Sequence, residues 1–265
     1  MRNAIVTTIL ILIVASANAQ LVATRSFATQ FLIPAAGAQQ GIGGTFFRSD
    51  ITIINYRPAD QRIRLQWLPQ NTSGANVPAI ETTIAASSGI ATEDFVTNVM
   101  QQTGLGAILV TAIDGTGAFD PGAILVATSR IWTPEPGTSG TTSQSLPAIS
   151  TSDIASTTPA ILGARRDSRY RTNVGIVNLF GGAQTYQVIV ASSFGTEISQ
   201  IDVQPLSMVL FSAAGANSTT PLQIQVRNIT NGARSSNFVA YASSIDNVTG
   251  DAWTTLGSNL PVPAP

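Results

Sequence analysis

The stretch Thr45-Phe-Phe-Arg-Ser-Asp-Ile-Thr-Ile-Ile-Asn55 recurs in altered form as Ser168-Arg-Tyr-Arg-Thr-Asn-Val-Gly-Ile-Val-Asn178. The two segments share an arginine, an isoleucine and a final asparagine at a constant offset of 123 residues. A second pair of similar segments, residues 124–131 and 238–245, follows in the same order at an offset of 114. Two landmarks in one order indicate an internal duplication, which predicts two units of the same fold.

Apolar and polar side chains alternate within each unit. Every second residue is apolar in residues 62–67 and again in residues 222–227. This period places one face of a strand in a core and the other towards solvent. The sequence therefore predicts an all-β chain of two tandem immunoglobulin-like β-sandwich domains, residues 31–134 and 159–260.

Two segments are predicted to differ from this strand pattern. Residues 135–158 begin with a run rich in Gly, Ser and Thr, which is typical of a linker or an exposed loop. Residues 93–101 are predicted as the one helix, with Thr92 as its N-cap and acidic residues in its first turn.

The first 19 residues have the pattern of a secretory signal peptide. Arg2 precedes an apolar run, and Ala17-Asn-Ala19 then supplies small residues at a cleavage site. The apolar run is shorter than a membrane-spanning helix requires, and no later run is long enough. The sequence predicts an exported protein without a transmembrane segment, secreted or on the cell surface, with the periplasm as the alternative destination.

Composition excludes several kinds of catalysis. The chain has no cysteine and no histidine, and all 13 of its basic residues are arginine. A Ser-His-Asp triad, a zinc site with Cys or His ligands and Schiff-base chemistry on lysine are therefore impossible. Carboxylate-pair glycoside hydrolysis and a cation site built of oxygen ligands are still allowed. We expect no cofactor and no enzymatic activity.

The low charge indicates which partners suit the chain. Charged residues make up only 10%, and the net charge is −1. Weak self-repulsion permits close packing with copies of itself or with neutral extracellular glycans. The sequence has no basic patch of the kind that binds nucleic acid, so a nucleic-acid partner is not expected.

The matched strand openings carry the candidate ligand-binding residues. Phe47 precedes Arg48 in the first unit, and Tyr170 precedes Arg171 in the second. One interpretation is a repeated ligand contact, with a sugar stacked on the aromatic ring and its hydroxyls bound by the arginine. The other is structural: each arginine pairs with an acid or a carbonyl and fixes the entry of a core strand.

Polar residues in turns supply the remaining candidates. The loop Asp246-Asn-Val-Thr-Gly-Asp251 offers two carboxylates that calcium could use, although it also fits an ordinary hairpin turn. Asn55 and Asn178 end the matched strands and are predicted to bond to nearby backbone in a turn. The acid pairs at positions 93/94 and 114/120 leave a carboxylate-based hydrolase as a less favoured alternative.

The chain resembles a group of uncharacterised secreted bacterial proteins with tandem immunoglobulin-like β-sandwich repeats. The resemblance rests on residues 48–55, residues 171–178 and the closing segment 241–251. It implies the same architecture and export, and it assigns no functional residue. Taken with the composition, it favours a non-enzymatic structural or adhesion module that is able to self-assemble. A carbohydrate-binding protein is the main alternative.

Overall fold

The structure is a computed structural model that describes residues 27–41, 44–135, 137, 139–154, 158–213, 218, 220–230 and 237–259. These residues form an all-β, β-sandwich-like fold of several antiparallel sheets, which confirms the predicted fold class at this level. The predicted signal peptide, residues 1–19, lies outside the described residues.

We call residues 27–154 the first half of the chain. Its elements are β1 (Gln30–Gln40), β2 (Phe46–Asn55), β3 (Gln61–Pro69), β4 (Ile80–Ile84), β5 (Gly89–Thr92), α1 (Phe95–Asn98), β6 (Gly104–Ile113), β7 (Leu125–Pro134), β8 (Thr141–Pro147) and β9 (Ile149–Ser150). A 3₁₀ turn follows at Thr151–Asp153.

We call residues 158–259 the second half. Its strands are β10 (Pro159–Ala164), β11 (Tyr170–Asn178), β12 (Gln184–Ser192), β13 (Gly195–Val203), β14 (Ser207–Ser212), β15 (Leu222–Asn228), β16 (Phe238–Asp246), β17 (Ala252–Leu256) and β18 (Ser258–Asn259).

Strand pairing is almost entirely confined to each half. The first half forms a sheet in the order β4-β3-β6-β1-β2-β7-β8, with β5 added to β2 and β9 added to β1. Its two layers join because the end of β1, at Gln39 and Gln40, leaves β6 and pairs with β2. The second half forms two sheets, β13-β12-β15-β10-β18 and β14-β11-β16-β17.

Each half encloses a hydrophobic core of its own. Inward residues of the first half include Trp67 and Phe95, both almost completely buried. Those of the second half include Tyr186 and Phe238, whose ring centroids lie 4.9 Å apart. These cores follow from the period-two alternation, because every second side chain of a strand lies on its inner face.

A third hydrophobic cluster lies between the halves. Leu32, Leu68 and Ala107 of the first half pack in it with Met208 and Tyr241 of the second. Alternation explains how one strand serves two cores, since its outward side chains reach the neighbouring half. Burial of this apolar surface stabilises the contact between the halves at about 25 cal/mol for each Å² removed from water.

Hydrogen bonds to main-chain carbonyls and one close approach of a glycine fix how the halves meet. The Ser207 hydroxyl donates to the carbonyl of Pro69 at 2.8 Å, and the Asn71 N–H donates to the carbonyl of Met208 at 2.9 Å. Gly74 lies so close to the second half that an added Cβ would be 2.1 Å from the Leu206 carbonyl oxygen. Only glycine fits there without displacing the facing turn.

The segment predicted as a linker or loop, residues 135–158, is partly strand. Residues 141–147 form β8 along residues 128–134 of β7, and Ile149 and Ser150 pair with β1. The expectation is therefore wrong for these residues. Threonine is β-branched and suits an edge strand, so a Thr-rich run is compatible with a sheet as well as with a loop.

The predicted helix at residues 93–101 is much shorter than expected. Only Phe95–Asn98 is helical, and it is preceded by Asp94 in a left-handed conformation (φ 49°) with no side-chain cap. Thr92 is the last residue of β5 and so is not the N-cap. The turn carries the chain from β5 in one layer to β6 in the other. Phe95 and Val96 hold the turn in place, because both side chains are buried in the core of the first half.

Candidate functional site

Arg48 is held by an acid and by aromatic rings at the start of β2. Its Nε lies 3.5 Å from the Asp94 carboxylate, and its guanidinium lies over the Phe46 ring at 4.7 Å and near the Trp132 ring at 5.6 Å. Phe47 points the other way, because neighbouring residues of a strand face opposite sides. The structure therefore does not bring Arg48 and Phe47 together on one face, and Arg48 pairs with an acid as its structural interpretation expects.

Asp50 organises this strand opening and was not found from the sequence. One carboxylate oxygen accepts from the Trp132 indole N–H at 2.7 Å and from the Asp94 N–H at 3.3 Å. The other oxygen lies 4.0 Å from the Arg130 guanidinium. A lone aspartate on an alternating strand gives no signal of these partners, since they come from distant parts of the chain.

Tyr170 and Arg171 also separate. The Tyr170 ring meets the Trp253 ring edge-on at 5.5 Å, with the Arg165 guanidinium 4.1 Å and the Arg169 guanidinium 5.3 Å from its centroid. Arg171 lies on the other side of the strand and donates to the Asn247 side-chain oxygen at 2.6 Å. Such cation–π contacts stabilise an exposed site by about 0.5–1 kcal/mol each.

The Asp246 carboxylate is occupied by the protein itself. It accepts from the Val248 N–H at 2.8 Å and from Nε of Arg169 at 2.8 Å. The Val248 N–H and then the Arg169 guanidinium lower the pKa of Asp246 below its ordinary value. Asp251 joins Asp246 through its main-chain oxygen, and its side chain is exposed. The loop from Asp246 to Asp251 thus forms the ordinary hairpin turn predicted from the sequence as the alternative to a calcium site.

Carboxylates are the groups from which a cation site or a catalytic acid pair would be built. Within the part of the chain that the structure describes, no three His, Cys, Asp or Glu side chains cluster as cation ligands. Thr116 lowers the pKa of Asp114, and the Gly122 N–H lowers that of Asp120. A glycosidase needs one carboxyl with a raised pKa as general acid, and these turns favour the opposite.

Asn55 and Asn178 do more than end their strands. The Asn55 side chain donates to the carbonyls of residues 59, 84 and 85 and accepts from the N–H of residue 57. The Asn178 side chain donates to the carbonyls of residues 182, 203 and 204 and accepts from the N–H of residue 180. The predicted turn bonds are confirmed. Both side chains are also buried and tie the strand end to a distant loop.

A groove of about 810 Å³ opens where the halves meet. Its walls combine β7 and β8 of the first half with β10, β16 and β18 of the second, and Phe31, Leu125 and Phe238 make them largely apolar. The Ser129 hydroxyl lines it, buried and without a partner among the described residues, and Asp153 is its one carboxylate. These side chains can enclose a ligand but supply no acid pair. Sequence patterns missed the groove because both halves build it.

Two further findings concern membrane-spanning helices and similarity to other proteins. Among the described residues, none of the helices combines the length and the hydropathy needed to cross a bilayer. No protein-family model matches the chain, and a search of curated proteins finds no match either.

Proposed function

We propose that the chain consists of two tandem immunoglobulin-like β-sandwich repeats and works as a non-enzymatic structural or adhesion module, secreted or on the cell surface. The role follows from how the halves are built and joined, and it agrees with the resemblance to secreted bacterial repeat proteins. Three features of the described residues support it.

The first is the agreement in strand order between the halves. The layer β4-β3-β6-β1-β9 of the first half corresponds to β13-β12-β15-β10-β18 of the second, and β5-β2-β7-β8 corresponds to β14-β11-β16-β17. Asn55 and Asn178 end the corresponding strands with matching hydrogen bonds to the main chain. Duplication of one unit is the simplest source of this agreement.

The second feature is the hydrophobic cluster between the halves, and it is the observation on which the proposal mainly rests. A flexible tether would leave Leu68 and Met208 exposed, whereas both are buried against the other half. Gln144 of the first half adds two hydrogen bonds to the second half. Its amide donates to Thr254 Oγ1 at 2.5 Å and accepts from the Ser243 hydroxyl at 3.0 Å. A pair of sandwiches joined over such a surface can transmit force, which suits a surface module.

The third feature is that β15 of the second half carries polar residues where β6 of the first half carries interface residues. In the first half, Ala107 and Leu109 flank a core isoleucine of β6 and pack towards the second half. In the second half, Gln223 and Gln225 flank the corresponding isoleucine of β15. Repeat arrays end in units with a polar outer face, so this exchange supports a block of two units rather than a longer stack.

Protease shaving of intact cells tests the proposed location. The full chain carries a C-terminal tag in a bacterial host, and a matched variant lacks residues 1–19. The full chain is expected in the medium or in the protease-accessible fraction, and the shortened chain in the cytoplasm. Cytoplasmic retention of both chains would overturn the proposal.

Adhesion and catalysis need a separate assay. Purified chain is expected to coat cells or surfaces without releasing reducing sugar from polysaccharides. Steady release of sugar would contradict the non-enzymatic role.

Carbohydrate binding is the second candidate, and one surface favours it. The outward face of β13, β12 and β15 presents four amides: Gln187 is paired with Gln200, and Gln225 and Gln223 follow on β15 opposite Ile189 and Ala191. Amides both donate to and accept from sugar hydroxyls. A glycan array probed with the chain and with a Gln223→Ala/Gln225→Ala variant tests this candidate. Binding that the double substitution removes would favour it, and no binding by the unsubstituted chain would reject it.

A further inference from the structure

β13 forms an open edge of the second half. It is the end strand of its sheet, and β12 is its only described partner. Nine residues, Gly195–Val203, are extended, and six consecutive residues from Gly195 to Gln200 include only one that is not exposed. An unpaired edge of this length is a ready template for another strand, because its main-chain N–H and C=O groups lack partners.

The corresponding edge of the first half is protected. β4 has only five residues, and its Glu81 lies 2.9 Å from the Arg62 guanidinium and 2.7 Å from that of Arg64. A short edge strand that carries paired charges discourages strand addition. β13 lacks such protection and exposes Phe194 by 66% and Ile198 by 62%. The two matched strands thus differ in the features that control edge pairing.

The main-chain groups available on this edge follow from the hairpin. Ser192 and Gly195 are the last pair of the β12–β13 ladder, across a two-residue turn. Because hydrogen-bonded and non-hydrogen-bonded pairs alternate along an antiparallel ladder, the N–H and C=O groups of Thr196, Ile198 and Gln200 are directed away from β12.

We propose that a second copy of this chain pairs with the open edge, β13 against β13 in antiparallel orientation, about a two-fold axis at Ile198. This register sets Ile198 opposite its copy and Thr196 opposite Gln200. The main-chain N–H and C=O groups of these residues that are directed away from β12 can then bond to those of the second copy. Glu197 then lies opposite Ser199, and no carboxylate faces another. The pairing would form about six main-chain hydrogen bonds.

Three other registers are less favourable. An axis at Glu197 brings two carboxylates together, and an axis at Asp202 does the same, which destabilises a cross-strand pair. An axis at Gln200 places Ile198 opposite Asp202. With the axis at Ile198, the neighbouring Ile189 on β12 extends an apolar row of four isoleucines across the joined sheets.

This pairing deepens the proposed structural function, since it names the partner, but it is a property of the purified chain and can fail independently of export. Sedimentation velocity over a wide range of concentration is the test. The wild-type chain is expected to form a dimer, and Ile198→Lys to remove it, because lysine on an edge opposes strand addition. Thr83→Lys, on the protected edge β4, is the matched control and should leave the dimer intact.

Cysteine trapping tests the register in a chain that has no cysteine of its own. Opposed residues of a hydrogen-bonded pair have Cα atoms about 5.5 Å apart, within reach of a disulfide. Oxidation should therefore cross-link the Ile198→Cys variant and not the Gln200→Cys variant. Circular dichroism confirms that each variant is folded. A wild-type chain that stays monomeric, an Ile198→Lys variant that still dimerises, or cross-linking of Gln200→Cys alone would overturn the pairing.

Discussion

The buried asparagines offer a direct test of how each half is held together. We expect Asn55→Ala and Asn178→Ala to be strongly destabilising, and by similar amounts. Each side chain is fully buried and bonds to three carbonyls and one N–H, and that of Asn178 also accepts from the Tyr186 hydroxyl at 3.4 Å. For Asn178 the distances to the carbonyl oxygens are 3.0, 3.3 and 2.8 Å, and the accepted bond from the Phe180 N–H is 2.9 Å.

The magnitude follows from counting what the substitution leaves without a partner. An amide NH₂ has two hydrogens, so two of the carbonyls receive full bonds and the third shares one. Each buried group left unpaired costs about 1–3 kcal/mol, so the loss of two donated bonds and one accepted bond costs at least about 3 kcal/mol for each alanine variant. Native domains have a total stability of only about 5–15 kcal/mol. The variants should therefore unfold at much lower urea concentrations.

Urea unfolding followed by circular dichroism measures the effect. Asn178→Asp retains the acceptor but removes the donors, and we expect it to cost at least as much as alanine. Asn98→Ala is the control, because its exposed side chain donates one bond to Glu93 and should change stability by less than about 0.5 kcal/mol. An Asn178→Ala variant with wild-type stability would refute the reasoning.

Three other predictions concern close contacts and charge. Gly175→Ala would put a Cβ 2.1 Å from Cζ of Tyr241, and overpacking of this kind costs about 1–3 kcal/mol in urea unfolding. Gly74→Ala should displace the Leu206 carbonyl and loosen the contact between the halves, which faster amide exchange near residue 208 would reveal. Asp246→Asn should weaken the pH dependence of stability. The folded-state pKa of Asp246 lies below 3.8, so the ionised carboxylate stabilises the fold above its unfolded pKa and loses that effect as the pH falls through the folded value.

Matched controls make these outcomes decisive. Gly181→Ala has open space around its added methyl group and should leave stability and exchange unchanged. Equal stability of the Gly175→Ala and Gly181→Ala variants would contradict the first prediction. Unchanged exchange in Gly74→Ala would contradict the second. For the third, urea midpoints of Asp246→Asn that fall as steeply as those of wild type between neutral pH and acid would rule out the role of this carboxylate.

The strand pattern of each half could be predicted because it is local. Alternation at residues such as Ile63, Leu65 and Trp67 reports directly which face is buried. The alignment of the closing strands was less accurate. The ladder partner of Asn55 is Leu125 and that of Asn178 is Phe238, so the strands correspond at an offset of 113 instead of 114. A slip of one residue exchanges the two faces of a strand, and residue similarity alone does not detect it.

The contacts between elements could not be predicted, because they depend on distant parts of the chain. Leu68 and Met208 have the pattern of ordinary strand residues, and nothing local shows that they meet. The separation of Arg48 from Phe47 has a local reason, since adjacent strand residues face opposite sides. Because residues two apart on a strand share a face, the same rule places Arg48 beside Phe46, which is what the structure shows.

The central claim is that the two halves form one block through the cluster between them. The most direct test is ¹⁹F NMR during urea unfolding of chain labelled with 5-fluorotryptophan. Trp67 and Trp132 report on the first half and Trp253 on the second, in one protein without substitutions. Coincident loss of all three native resonances is the predicted result. Unfolding of the Trp253 site at a clearly different urea concentration from the Trp67 site would show that the halves are independent and contradict the account.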